Sequence, residues 1–239
     1  MAGATLGSKI LFWFEDPPQT LQNLHNPAYL AGGKTIVGAL IFGLIAVELM
    51  KRYIGLQIST GDLYALPLAL GIAIGRIGCF LTGISDNTYG TPTTLPWGID
   101  FGDGVRRHPT QLYEIAFLLA LIPLLYLVTR RALTLSVAVA GSKVPAPAGI
   151  FAADVGNSSG TLATRYSGLR IRPGDAFKVF MVAYMGFRFC CDFIKPYPHL
   201  FLGLGAIQWA CVFVLLYYSP DILRWLRAFP QRKRPSFPV

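Results

Sequence analysis

Two arginines lie inside strongly apolar stretches of the sequence, where a charged side chain needs a physical reason. Arg76 interrupts the apolar run 70–80, and Arg188 lies between two phenylalanines. Ionisable side chains in such stretches face a cavity, a partner side chain or a polar ligand. The planar guanidinium donates paired hydrogen bonds to a phosphate or a carboxylate. Two such arginines on different helices predict an anion clamp, with a snorkelling Arg76 or a structural ion pair at Arg188 as the alternatives.

Polar residues on either side of Arg188 have helical spacing. Tyr184, Arg188 and Asp192 follow one another at i, i+4 and i+8, which places them along one helix face. Lys195 continues this stripe. Asp192 can neutralise Arg188 one turn away, and Tyr184 adds a hydroxyl donor. We expect Arg188 and Tyr184 to take part in the chemistry and Asp192 to bind substrate.

A third polar segment, 106–114, opens a long apolar run. Pro109 ends the preceding loop and Thr110 is a candidate N-cap, so the first helical turn offers backbone N–H groups to an anion. Histidine is a common proton-transfer residue, so His108 is a candidate for that role, with a structural hydrogen bond as the alternative. The remaining candidates for substrate binding in this segment are Arg107, Gln111 and Tyr113.

The composition indicates that lipid surrounds the elements that carry these residues. Hydrophobic residues make up 53% of the chain and charged residues only 14%, whereas soluble domains carry roughly 25% charge. The net charge of +9 would suit either nucleic acid or an anionic membrane, and the apolar composition favours the membrane. The four cysteines form no C-x-x-C pair, so neither a disulfide framework nor a zinc site is expected.

The predicted fold class is an all-α integral membrane protein, a polytopic helical bundle in a single membrane domain over 1–239. A bilayer crossing needs about 20 apolar residues, and about five segments approach that length. These predicted spans are 35–50, 63–82, 112–128, 176–194 and 200–218. Lys and Arg concentrate after the first, third and fifth spans, which predicts a cytoplasmic C-terminus and an ordered outer loop at 83–110.

Two segments differ in composition from the predicted spans. Residues 132–174 are rich in Ala, Ser, Gly, Thr and Pro, and we expect them to form a cytoplasmic loop insertion. Residues 220–239 form a basic cytoplasmic tail, whose Arg-Lys-Arg cluster suits anionic lipid.

Four motifs, taken in order, carry a resemblance to a known family. They are Gly-Arg-Ile-Gly-Cys-Phe-Leu-Thr-Gly (75–83), Leu-Pro-Trp-Gly (95–98), Arg-His-Pro-Thr-Gln-Leu-Tyr-Glu (107–114) and Tyr-Met-Gly-Phe-Arg-Phe-Cys-Cys-Asp-Phe-Ile-Lys-Pro (184–196). As a set they resemble the prolipoprotein diacylglyceryl transferase family. The resemblance covers most of the chain outside 132–174.

The resemblance implies an enzyme of lipoprotein biosynthesis in the bacterial cell (inner) membrane. It implies transfer of a diacylglyceryl group from phosphatidylglycerol to the lipobox cysteine thiol of a prolipoprotein, with release of glycerol phosphate. In family terms Arg76 matches the phospholipid-binding arginine and Arg188 the essential arginine of a later helix. Tyr184 and His108 match the family's tyrosine and its His-Pro histidine. No cofactor, no metal and no nucleic-acid partner is expected.

The sequence also departs from the family pattern. The family has a His-Gly-Gly stretch whose histidine is implicated in catalysis, and Ala31 stands at its place, so His108 or Lys34 is the expected base. Further replacements of family residues are found at Cys79, Thr82, Asp192 and Lys195. One or two N-terminal helices of the family pattern are expected to be missing. The alternatives are a catalytically impaired relative that binds phospholipid or lipoprotein precursor, and an anion transporter.

Overall fold

The computed structural model describes residues 2–56, 59–140, 172–196 and 202–228, with the backbone alone over 132–140. Helices dominate this part of the chain, as expected. They are α1 (Ala2–Glu15), α2 (Pro17–Gln22), α3 (Pro27–Gly32), α4 (Ile36–Ile54), α5 (Gly61–Thr82), α6 (Thr110–Ala140), α7 (Asp175–Asp192), α8 (Ala206–Tyr217) and α9 (Ser219–Ala228). A short hairpin of β1 (Ile99–Asp100) and β2 (Arg106–Arg107) lies between α5 and α6.

Helix α1 packs antiparallel along α4 at very short range. A Cβ on Gly7 would collide with the Phe42 side chain and the carbonyl of Gly38, and a Cβ on Gly38 would lie 2.8 Å from the Cβ of Leu11. Small residues at such a contact let two backbones approach closely. The sequence analysis did not predict α1 because its 14 residues fall short of a bilayer crossing.

Helices α5, α6 and α7 enclose the main apolar core, and α8 covers it. One face of α5 is formed by alanines, of which Ala65 and Ala69 are fully buried. These small side chains allow α5 to lie close to α6, where Leu118 and Leu125 are also fully buried. Phe180 of α7 completes this core without solvent exposure. Arg76 lies on the buried side of α5, so the packing that forms the core also fixes the position of this arginine.

Gly71, Gly75 and Gly78 of α5 have a G-x-x-x-G type of spacing that predicts the close approach of another helix, but no described helix approaches them. An added Cβ on Gly71, Gly75 or Gly78 would meet no atom within 4 Å among the residues described. The close approach along α5 instead uses the alanine face, because a glycine motif specifies helix contact only where a partner helix lies opposite it.

The membrane spans are confirmed in part. Gly61–Asp86 and Thr110–Arg131 are long and apolar enough to cross a bilayer, and α8 with α9 would make a third span across a 55° bend. Helices α4 and α7 form at the predicted places but do not meet the same criteria of length and composition. The number of five spans therefore stays a prediction.

The predicted loop and the predicted tail both begin with helical residues where the structure describes them. Helix α6 continues to Ala140, so the first residues of the predicted loop 132–174 are helical, and 141–171 lie outside the described residues. The predicted tail begins with α9, an amphipathic helix with apolar residues on one side and arginines on the other. Helical periodicity extends further at both places than the composition indicated. The Arg-Lys-Arg cluster lies outside the described residues.

Charged residues tie α5, α7 and α9 together at the end remote from the hairpin. The buried carboxylate of Asp62 accepts hydrogen bonds from the backbone N–H groups of Gly174 and Ala176, at 2.5 and 2.9 Å. Asp62 thereby satisfies donors at the start of α7 that have no partner within the helix. Asp175 pairs with Arg224 of α9 at 2.5 Å.

Candidate active site

Three charged side chains from three helices meet at one carboxylate. Arg76 Nε lies 2.8 Å from Glu114 Oε2, and Arg188 Nη1 lies 3.4 Å from the same oxygen. The exposed fractions of these side chains are 8% for Arg76, 2% for Glu114 and 4% for Arg188. Arg76 lies near the end of α5, Glu114 in the first turns of α6, and Arg188 near the end of α7. One buried acid therefore holds two arginines from different helices at one depth.

The helix face predicted around Arg188 forms part of this cluster. The Tyr184 hydroxyl, fully buried, donates a 2.6 Å hydrogen bond to Glu114 Oε1. Asp192 Oδ1 lies 3.9 Å from Arg188 Nη2. Both oxygens of Glu114 are thus engaged, and Arg188 has a second, more distant carboxylate beside it. The structure places Tyr184, Arg188 and Asp192 on one helix face, as their spacing predicted, and joins Arg76 to them through Glu114.

Glu114 is the member of this cluster that the sequence analysis missed as a site residue. Glu114 is the last residue of the 107–114 motif, in which only earlier residues are predicted to bind substrate. Its position in an apolar run carries the same signal as the two arginines, since an ionised carboxylate is equally costly there. The two arginines predicted to bind an external anion therefore already share an internal one, the carboxylate of Glu114. The cluster thus contains both the predicted arginine pair and the structural ion pair that was the alternative at Arg188.

A cavity of about 860 Å³ lies beside the two arginines. Both guanidiniums line it, together with side chains from the first helices and from the segments that follow α5 and α7. The other charged residues that line it are Glu15, Asp16, Lys34, Asp86 and Lys195. Acidic and basic side chains therefore border one space, whose volume lies in the range of ligand-binding pockets.

Two titratable groups at this cavity lie outside the predicted spans and have shifted pKa values. Burial raises the pKa of the Glu15 carboxyl to about 7, and the neighbouring Lys195 ammonium acts in the opposite direction. Burial, followed by the charges of Arg188 and Arg76, lowers the pKa of Lys195 to about 8. Both shifts bring proton exchange towards neutral pH, which is the range in which acid–base catalysis is effective.

His108 lies outside this cluster and does not line the cavity. Its Nδ1 is 3.0 Å from the Tyr113 hydroxyl, and Trp97 Nε1 donates to the same hydroxyl at 2.9 Å. The His108 carbonyl accepts a hydrogen bond from Gly90 N, where an added Cβ would lie 2.7 Å from the His108 Cβ. Tyr113 and His108 thus join the hairpin segment to the start of α6, within the part of the chain described.

Gln111 and Arg107 also hold the outer segment. Gln111 Nε2 donates to Thr88 Oγ1 at 3.1 Å, and the Thr88 hydroxyl donates to Asp86 at 2.6 Å. Arg107 pairs with Asp103 at 2.6 Å and lies over the Tyr89 ring at 4.9 Å. The hydrogen bond from Arg107 lowers the pKa of the Asp103 carboxyl. Neither Gln111 nor Arg107 lines the cavity. Gln111 is linked through Thr88 to Asp86, and Arg107 contacts Tyr89; Asp86 and Tyr89 line it.

Thr110, the predicted N-cap, begins α6 as its first helical residue. Its hydroxyl donates to the carbonyl of Thr88 rather than capping the helix. Of the backbone N–H groups that this turn was predicted to offer to an anion, those of Thr110, Leu112 and Tyr113 donate to the carbonyls of His108 and Pro109 instead.

Comparison with known proteins places this arrangement in a family. The family model described as prolipoprotein diacylglyceryl transferase matches residues 1–144. The chain belongs to that family. The match includes Arg76 and Glu114 and ends before Arg188, whose pairing with Glu114 rests on the structure.

Curated relatives agree with the family model. Each of the following is named phosphatidylglycerol–prolipoprotein diacylglyceryl transferase. The protein of Bordetella bronchiseptica is 38% identical over 47% of this chain and 44% of its own length. That of Cupriavidus pinatubonensis is 32% identical over 74% of this chain and 51% of its own length. That of Clostridium tetani is 37% identical over 52% of each. The chain spans about half the length of the curated relatives it matches, and no solved structure matches it.

The segment 31–34, where the sequence was expected to depart from the family pattern, also borders the cavity. Gly32, Gly33 and Lys34 line it, whereas Ala31 offers its carbonyl to the Lys9 ammonium. Lys34, one of the two bases expected from the sequence, is thus placed in the cavity, and His108 is not.

Proposed function

We propose that this chain transfers the diacylglyceryl group of phosphatidylglycerol to the lipobox cysteine thiol of a prolipoprotein, with release of glycerol phosphate. The observation that carries the proposal is the pair of buried arginines that line a cavity in a member of this family. In the reaction the thiolate sulfur forms a bond to the glyceryl carbon, and the bond from that carbon to the phosphate oxygen breaks. The electron pair of the broken bond leaves with the phosphate.

The arginine pair suits the departing phosphate. A guanidinium has five N–H donors, and the contact with Glu114 engages one nitrogen of each arginine. The remaining donors can contact a phosphate that gains negative charge as the bond breaks. Donors held in place before the reaction stabilise such a charge, and the loss of one typically lowers the rate by about 10² to 10³. Glu114 and Tyr184 would position the guanidiniums.

We further propose a multi-pass protein of the bacterial inner membrane with this cavity towards the outer leaflet. The side of the membrane follows from the Lys and Arg distribution in the sequence. The shared depth of Arg76, Glu114 and Arg188 in their helices is consistent with a headgroup site at one interface.

A catalytically impaired relative that binds phospholipid or lipoprotein precursor is the second candidate function. One observation favours it: His108, one of the two residues expected to act as the base, does not line the cavity. The resemblance also implies that Ala31 stands where the family has a histidine. Such a protein would keep the arginine site and lack the base.

The decisive experiment incubates the full chain in phosphatidylglycerol vesicles with a lipobox peptide and follows the peptide mass. Arg76→Ala and Arg188→Ala test the site, and Arg76→Lys tests whether the fork geometry is needed beyond the charge. Arg52→Ala is the matched control, because Arg52 is exposed and lies outside the cavity.

We expect diacylglyceryl addition to the cysteine by the wild type and Arg52→Ala, and a loss of at least about 10²-fold in the two site variants. An unmodified peptide, with lipid binding that still depends on Arg76, would establish the binding relative instead. Anion flux into liposomes without peptide modification would refute both and favour a transporter.

A further inference from the structure

Glu15 is an acidic side chain at the cavity that neither the helix motifs nor the arginine cluster accounts for. It is the last residue of α1, and the antiparallel contact of α1 with α4 brings it to the cavity that Arg76 and Arg188 also line. The close contact through Gly7 fixes the position of α1 along α4. The position of Glu15 is therefore set by the same packing that forms this side of the molecule.

The proposed transfer needs a proton acceptor, because the thiolate and not the thiol is the nucleophile. The two other acids that line the cavity are already hydrogen-bonded: Asp16 caps α2 through Gln19 N at 3.1 Å, and Asp86 accepts from the Thr88 hydroxyl at 2.6 Å. Glu15 makes no hydrogen bond or ion pair with any residue that the structure describes. Among the acids that line the cavity, Glu15 is therefore the one whose carboxylate oxygens accept no hydrogen bond from the described residues.

We propose that Glu15 is the base that accepts the proton of the acceptor thiol. The inference rests on the proposed diacylglyceryl transfer. The S–H proton moves to a carboxylate oxygen of Glu15, the sulfur forms the thioether bond to the glyceryl carbon, and the C–O bond to phosphate breaks. Glycerol phosphate leaves with the electron pair, and the proton on Glu15 then passes to water or to the departing phosphate. Atoms and charge balance without a further reactant.

The charges around Glu15 fit a carboxylate that gains and loses a proton. Lys195 and Arg188 favour its ionised form, whereas Asp192 and Asp16 oppose it. The remaining charged residues of the cavity are Arg76, Lys34 and Asp86. Burial outweighs the attraction of the cations and raises the pKa of Glu15 to about 7, so that near neutral pH both protonation states are populated. A general base is most effective in that range.

The test compares two acceptors that differ in their need for a base. The wild type, Glu15→Gln and the control Glu48→Gln are placed in phosphatidylglycerol vesicles with a lipobox peptide carrying either cysteine or selenocysteine. A selenol ionises at a much lower pH than a thiol and is already deprotonated at neutral pH. Glu48 is a control acid that does not line this cavity and pairs with Lys51. Binding of phosphatidylglycerol is measured for each protein as a check on the folded site.

We expect Glu15→Gln to lower the rate with the cysteine peptide by about 10² to 10⁴-fold at pH 7, the range for loss of a general base. The selenocysteine peptide should react within a few-fold of the wild-type rate. With cysteine, the wild-type rate should level off above about pH 7, whereas the Glu15→Gln rate should keep rising towards the thiol pKa near 8.5.

Several outcomes would overturn the assignment. Equal rates and pH profiles for Glu15→Gln and the wild type would remove Glu15 from the mechanism and leave the proposed function standing. Loss with both peptides would make Glu15 a structural residue. No modification of either peptide by the wild type would refute the proposed function itself, and the Glu15 assignment with it.

Discussion

Replacement of Glu114 by glutamine should destabilise the folded protein strongly, because it removes the anion between two buried arginines. The carboxylate lies 2.8 Å from Arg76 and 3.4 Å from Arg188, and it accepts a 2.6 Å hydrogen bond from Tyr184. With 2% of the Glu114 side chain exposed, water cannot replace the lost charge. Removing one partner of a buried ion pair costs about 3–5 kcal/mol, since the other charge stays buried without compensation.

This cost can be measured as a change in melting temperature. For a chain of this size, 1 kcal/mol corresponds to a shift of roughly 2–4 °C, so Glu114→Gln should lower the melting temperature by roughly 6–20 °C. Thermal unfolding in detergent micelles, followed by tryptophan fluorescence, gives the shift. Glu48→Gln is the control, because its ion pair with Lys51 is half exposed on the glutamate side and contributes no more than about 1 kcal/mol.

A double-mutant cycle identifies the source of the loss. Arg76→Gln combined with Glu114→Gln should be less destabilised than the sum of the two single variants, by up to about 3 kcal/mol. A melting temperature of Glu114→Gln within 1–2 °C of the wild type, about the effect of the exposed pair, would refute the reasoning. Strict additivity of the two variants would show that Arg76 and Glu114 do not interact as the structure indicates.

Two further predictions concern the helix contacts. Gly7→Ala should lower the free energy of unfolding by about 1–3 kcal/mol, because its Cβ would collide with Phe42. Gly71→Ala, whose Cβ meets no neighbouring atom, should raise it by up to about 1 kcal/mol. The two variants should therefore shift the melting temperature in opposite directions, and shifts in the same direction would contradict the packing. Asp62→Ala should lower the free energy of unfolding by about 1–2 kcal/mol, because the backbone N–H groups of Gly174 and Ala176 at the start of α7 lose their acceptor. Amide hydrogen exchange should increase first at the start of α7. An unchanged exchange rate there would contradict the prediction.

Much of the candidate site could be predicted from residue types and helical spacing. Tyr184, Arg188 and Asp192 recur every fourth residue, and the helix periodicity alone puts them on one face. Arg76 was recognisable because a charge in an apolar run needs a polar environment. The family was recognisable as well, because its motifs keep their order along the chain.

The contacts between helices could not be predicted in the same way. Helical periodicity says which residues share a face, but it does not say which face of another helix lies opposite. The glycines of α5 were expected to form a helix contact, and the alanine face forms it instead. His108 was predicted as a candidate for proton transfer, but the structure places it outside the cavity, where its ring bonds to Tyr113.

The sequence by itself determined the apolar helices, the buried arginines and the family. Only the tertiary structure decided that Glu114 closes the arginine pair and that Glu15 reaches the same cavity. The physical reason is that both depend on close packing between helices: α6 must meet α5 and α7 at one depth, and α1 must lie against α4 through Gly7. Each helix carries its own polar residues in the sequence, but the distances between their charges exist only after the helices have packed.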